Sequence, residues 1–219
     1  MKIKDQGLSE AEINARANEK AKKRKEVRDR ILATKTIEKG LLIVHTGKGK
    51  GKSTAAFGLA VRALGNGMKV GIVQFVKGKW ATGERVVLEK FPEQVTIRTM
   101  GEGFTWETQD RARDIRAAKA AWDEAQRMIE ACRSAGDGGS GPALDLLVLD
   151  ELNIVLRYDY LDIAEVVRVL QNRPPMLHIV VTGRNAKPEL IEAADLVTEM
   201  TEIKHPFQAG VKAQKGIEF

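Results

Sequence analysis

Residues 41–54 read LLIVHTGKGKGKST: an apolar run, three glycines alternating with three lysines from Gly47 to Lys52, then the hydroxyl residues Ser53 and Thr54. A strand, a glycine-rich turn and a helix opening near Lys52 gather several backbone N–H groups around one point, with the positive end of the helix dipole behind them. That arrangement is built for an anion. Glycine permits positive φ and close backbone approach, Lys52 can reach phosphate oxygens, and Ser53 can place its hydroxyl on a magnesium ion. The expected polyphosphate loop is therefore Gly47, Lys48, Gly49, Lys50, Gly51, Lys52, Ser53 and Thr54. A merely structural glycine-rich turn is the weaker reading, because a strand precedes the loop and GKST opens a helix. The usual pattern has four residues between its first glycine and the closing Gly-Lys-Ser/Thr. Here Thr46 occupies that first position, so the loop counted from Gly47 is one residue shorter.

A loop of this kind demands a sheet that presents it at an edge, and the rest of the chain supplies the pattern. Apolar, β-rich runs recur at 41–46, 69–76, 94–100, 144–150, 177–183 and 194–200, several of them continuous rather than alternating, as in strands covered on both faces. Helical patterns lie between them near 52–65, 107–134 and 160–172. The expected fold class is α/β: a P-loop nucleotide-binding domain with a mostly parallel sheet flanked by helices. The run SAGDGGSGPA (134–143) breaks helix and strand alike and reads as a flexible surface connection. A second element supports the loop. LDLLVLDEL is an apolar strand ending in Asp150 and Glu151, at the edge where a parallel sheet binds ligands. Such carboxylates hold magnesium directly or through water, so Ser53, Asp150 and Glu151 form the expected metal set.

Charge separates this domain from what precedes it. The chain of 219 residues carries a formal net charge of +6, and residues 1–40 hold 12 Lys/Arg against 7 Asp/Glu, a difference of +5. No Gly or Pro interrupts the stretch between Leu8 and Thr36, which reads as a helical arm with a solvated charged face. The expected division is an arm over 1–40 and an α/β domain over 41–219, with the arm either covering the ligand site or meeting a partner. No apolar run approaches the roughly 20 residues of a membrane span, and the first residues lack the apolar core of a secretory signal. Cys132 is the single cysteine, so no internal disulfide is possible. A cytoplasmic protein without membrane contact is expected.

The motifs TGKGKGKSTAAFGLAVRALG, VQFVKGKWATGE, GEGFTWET, VLDELN, VVTGRNA and KHPFQAGVKAQKGIEF, in this order and spacing, resemble the ATP:corrinoid adenosyltransferases of the CobA/CobO type from about residue 41 onward. The resemblance implies transfer of the 5′-deoxyadenosyl group of ATP to the cobalt of a reduced corrinoid, with release of triphosphate, in adenosylcobalamin biosynthesis or salvage. It implies Mg²⁺, a flavoprotein electron donor, a homodimer and no nucleic acid. It also links the shortened loop to an ATP orientation reversed relative to most P-loop enzymes, leaving the ribose 5′ carbon open to attack. Lys52, the loop amides, magnesium and Arg184 of VVTGRNA are then expected to stabilise the departing triphosphate. Phe104 and Trp106 match aromatic positions that help remove the lower axial ligand of Co(II), easing its reduction. Without the resemblance, two aromatics one residue apart read as packing. Cob(I)alamin has no proton to remove, so His45, His178 and His205 need not form a catalytic set.

Two other readings stand beside this one. A nucleic-acid-dependent ATPase would use the basic arm on phosphates and Glu151 to position water, yielding ADP and phosphate. A protein that senses or delivers corrinoid would bind both ligands without turnover.

Overall fold

The computed structural model describes residues 8–76, 82–100, 110–136 and 144–218. The chain divides into two compact units, one ending at Glu38 and one running from Lys39. In the first, helix α1 (Glu10–Ala33) starts at a capping box. The Ser9 hydroxyl accepts from the Glu12 amide at 3.3 Å, and the Ser9 amide donates to the Glu12 carboxylate at 2.8 Å. None of its residues is buried.

In the second unit each apolar run of the sequence contains a strand: β1 (Leu42–Thr46), β2 (Val70–Gln74), β3 (Val95–Thr99), β4 (Leu146–Asp150), β5 (His178–Thr182) and β6 (Leu196–Glu199). They lie in the order β3-β2-β4-β5-β1-β6, every neighbouring pair parallel. Strand alternation sends successive side chains to opposite faces. Thus Leu42, Val44, Leu147, Leu149, Ile179 and Val181 join one core, while Ile43, Leu146, Val148 and Val180 join the other. The first core is closed by α4 (Arg111–Gly136), α5 (Leu152–Arg157), α6 (Ile163–Gln171) and α7 (Pro188–Ala193), the second by α2 (Lys52–Gly65) and α3 (Gly83–Leu88). Both faces of β1, β2, β4 and β5 are covered, which explains why these strands read as continuous apolar runs, while the edge strand β6 is exposed throughout.

The helix expected over 160–172 is shorter, beginning after Asp162, whose carboxylate accepts from the Ala164 amide at 2.8 Å. Helices α3, α5 and α7 have six residues each, too few to show a helical repeat in the sequence. Helix α4 continues to Gly136, three residues into the stretch expected to break it. At the N-terminal edge of the sheet Asp195 accepts from the Leu42 amide at 2.9 Å and from Arg173 at 3.1 Å, and pairs with Lys39. Arg173 also donates to the carbonyls of Gly40, Leu170 and Leu177. This clamp ties the entry to β1 to the approaches of β5 and β6, leaving the opposite edge for chemistry. Among the described residues no helix is long and apolar enough to cross a membrane.

Candidate functional site

All strands point the same way, so Thr46, Gln74, Thr99, Asp150, Thr182 and Glu199 end on one edge. The phosphate loop leaves β1 there. Gly47 and Gly51 have φ of 95° and 101°, a region that penalises any side chain. Gly51 is the residue before α2 and caps it with no side chain. The amides of Lys50, Gly51, Lys52, Ser53 and Thr54 have no acceptor among the described residues. A helix start normally leaves such donors to be satisfied by side chains, water or ligand. Here the sequence supplies no side-chain cap.

Lys52 folds back so that its ammonium donates to the Gly49 carbonyl. Its pKa is pushed below the ordinary lysine value, first by burial and then by the positive charge of Arg184, with Glu151 acting in the opposite direction. Two cations from separate loops are thus held close enough to repel each other, the electrostatic condition of a polyanion site. Lys48 and Arg184 line a cavity of about 880 Å³ together with Gly47, Arg157, Glu199 and Glu202. The space is within the size range of ligand pockets.

The carboxylate of Asp150 is fully buried and saturated with donors. Oδ1 accepts from Ser53 Oγ at 2.7 Å and Thr182 Oγ1 at 2.8 Å, and Oδ2 accepts from Gln74 Nε2 at 3.2 Å. The network extends across the strand ends: Thr99 Oγ1 donates to Gln74 Oε1 at 2.9 Å and accepts from Arg85 at 2.9 Å. A buried carboxyl group is tolerated only when hydrogen-bonded in this way. Ser53 is therefore placed by Asp150 at the first turn of α2, as the loop reading requires. Glu151 has φ of 67°, and its amide donates to Thr182 Oγ1 at 2.9 Å. A non-glycine residue in this region is strained and is found at functional sites.

His45 sits near the end of β1. Its Nδ1 lies 3.2 Å from the Lys52 carbonyl, tying the end of β1 to the start of α2, and burial pushes its pKa down. Asn153, fully buried, donates to the carbonyls of His45 and Gly183 at 3.4 and 3.0 Å, bracing the ends of β1 and β5. Thr182, Gln74 and Asn153 are site supports that the sequence reading passed over. A polar residue closing an apolar strand, as Thr182 does in HIVVT, was the available signal. Phe104 and Trp106 lie outside the described residues. Among the described residues no group of three or more His, Cys, Asp or Glu side chains is arranged to hold a metal ion.

The family model for the ATP:corrinoid adenosyltransferases BtuR/CobO/CobP matches residues 38–219. A corrinoid adenosyltransferase of a Sinorhizobium species is 55% identical over 208 residues, covering 94% of this chain and 92% of that protein. One from Pseudomonas aeruginosa is 52% identical over 208 residues, covering 95% and 98%. The corrinoid adenosyltransferase CobA of Salmonella typhimurium is 44% identical over 200 residues, covering 90% and 96%. With an uncapped glycine-lysine loop, a buried Asp150 behind Ser53 and an all-parallel sheet beneath them, the chain belongs to the ATP:corrinoid adenosyltransferase family.

Proposed function

We propose that this protein, an ATP-dependent corrinoid adenosyltransferase, binds the triphosphate of ATP on Gly47–Thr54 and presents the ribose 5′ carbon to a reduced corrinoid. The observation that carries this is the row of unaccepted amides at residues 50–54 beside Lys52 and Arg184. The substrate cobalt, as Co(I), donates an electron pair to C5′ and becomes formally Co(III) as the Co–C bond forms. The C5′–O bond breaks, and its electrons leave on the triphosphate oxygen. No proton moves to or from the nucleophile, so no general base is needed. What the chain supplies is position and charge: amides and the two cations held where negative charge grows, already oriented before the reaction begins.

The oxygen donors at the start of α2 suit a hard cation. Ser53 would hold Mg²⁺ through its hydroxyl, with Asp150 fixing that hydroxyl from behind and Glu151 beside them, the remaining ligands coming from phosphate and water, which is how Mg²⁺ is commonly bound without an all-protein cage. When bound, the ion would neutralise triphosphate charge. Phe104 and Trp106 carry the proposed exclusion of the lower axial ligand, supported by their place in the GEGFTWET motif. A flavoprotein electron donor, a homodimer, a cytoplasmic location and a separate arm over residues 1–40 belong to the same reading.

Anaerobic incubation with ATP, Mg²⁺ and chemically reduced corrinoid tests it. Adenosylated corrinoid and inorganic triphosphate in equal amounts are expected; ADP and phosphate would establish hydrolysis instead.

A further inference from the structure

The phosphate loop is held from outside by the segment that follows β6. The Met200 amide donates to the Thr46 carbonyl at 2.9 Å, and the Gly49 amide donates to the Met200 carbonyl at 2.7 Å, so the β1–β6 pairing continues past the strands into the loop. A Cβ at Gly47 would lie 2.3 Å from the Met200 carbonyl oxygen, and one at Gly49 would lie 2.7 Å from that of Thr201. The glycines at these two positions serve contact with this segment as much as contact with phosphate. Farther along, the amides of Ile217 and Glu218 both donate to the Gln214 carbonyl, at 3.1 and 2.8 Å, forming a turn. That turn sets the mostly buried Glu218 carboxylate against the ammonium of Lys50, in the middle of the loop.

We propose that Glu218 is a positioning residue of the ATP site: its ion pair with Lys50 holds the glycine-rich loop in the shape that receives triphosphate. A loop with glycine at alternate positions has unusually large backbone freedom to lose on binding. Fixing Lys50 from outside removes part of that cost in advance, which is preorganisation. The opposite effect is also physically available, since a carboxylate near the loop could repel phosphate. The direction of the change in affinity separates the two. The inference rests on the reading of residues 47–54 as the triphosphate site.

The experiment is a double-mutant cycle on the full chain, with MgATP affinity measured calorimetrically for the wild type, Glu218→Gln, Lys50→Gln and the double variant. Glu218→Gln is expected to weaken MgATP binding about 2- to 5-fold, the range for a partly exposed ion pair. The loss should vanish in the Lys50→Gln background and shrink at high salt. At saturating ATP with preformed Co(I) corrinoid, kcat should stay at the wild-type value while the KM for ATP rises. Tighter MgATP binding by Glu218→Gln, or an equal loss in both backgrounds, overturns the proposal. Product identity is independent of this measurement: a wild-type protein that binds ATP but releases no triphosphate sinks the adenosyl-transfer reading and leaves the coupling readable.

Discussion

Helices α1 and α2 begin in opposite ways. At α1, Ser9 and Glu12 satisfy each other's backbone donors, and along the helix Glu19 pairs with Lys23 and Lys25 with Asp29, each at 2.7 Å. At α2, Gly51 offers no side chain to the first turn, Lys52 rests on a loop carbonyl, and Lys48 and Arg184 have no ion pair among the described residues. A helix that satisfies its own start has nothing left for a ligand. One that leaves donors and cations unsatisfied is less stable in isolation but ready to bind. The comparison teaches where to look for function: in the element whose local rules are broken, provided the surrounding fold can hold it in that condition.

The comparison is broken most severely by Lys52→Ala. It removes a charge facing the triphosphate while sparing the loop glycines, and a charge-assisted hydrogen bond is worth about 1.5–3 kcal/mol, roughly 10- to 150-fold in rate or affinity. Steady-state kinetics at subsaturating ATP measure it; unchanged kinetics in a folded variant would remove Lys52 from the site. A smaller loss, of about 10-fold, is expected for Ser53→Ala, because the Asp150 carboxylate remains while a single hydroxyl ligand disappears. Its signature is a Mg²⁺ titration shifted to higher concentration, which a purely structural hydroxyl would leave in place.

The other half of the comparison is tested by Ser9→Ala. Loss of the cap should cost α1 about 1 kcal/mol, seen as faster amide exchange in its first turn. ATP affinity should not change, since the cap serves only its own helix; a parallel loss of affinity would erase the distinction drawn between the helices. The smallest effect sharpens the electrostatics. In the proposed site Lys52 would bind triphosphate as a cation, so ATP affinity should be lost as pH rises through its lowered pKa, below the ordinary value of 10.5. Arg184→Gln removes the second of the two causes of that lowering, so the alkaline limb should move toward higher pH even though total affinity falls. An inflection that stays put or moves down means the two cations do not feel each other.

Much of this was legible before any coordinates. LLIVHT and LDLLVLD could be recognised as buried strands because both sheet faces are covered, and the glycine-lysine run could be recognised as an anion loop because so few residues permit that backbone. The helices at 83–88, 152–157 and 188–193 were not legible, since six residues span under two turns and their existence depends on the cores that Leu88, Leu152 and Leu190 enter. Nor could the partners of the loop be found. Thr182 and Gln74 sit 32 and 76 positions from Asp150 along the chain, and nothing local marks them as its donors.

By itself the sequence determined the periodicities, the glycine-lysine loop, the uninterrupted helical arm and the family to which the chain belongs, because each depends on residues near one another or on a pattern of motifs. Only the tertiary structure decided that Gly49's amide is committed to Met200, that burial and then Arg184 lower the pKa of Lys52, and that Glu218 faces Lys50. Those facts depend on which strand ends lie side by side, and the order β3-β2-β4-β5-β1-β6 brings residues near 46, 150, 182 and 200 to one edge. Strand order is set by the burial of both faces at once, a global condition that no short stretch of chain encodes.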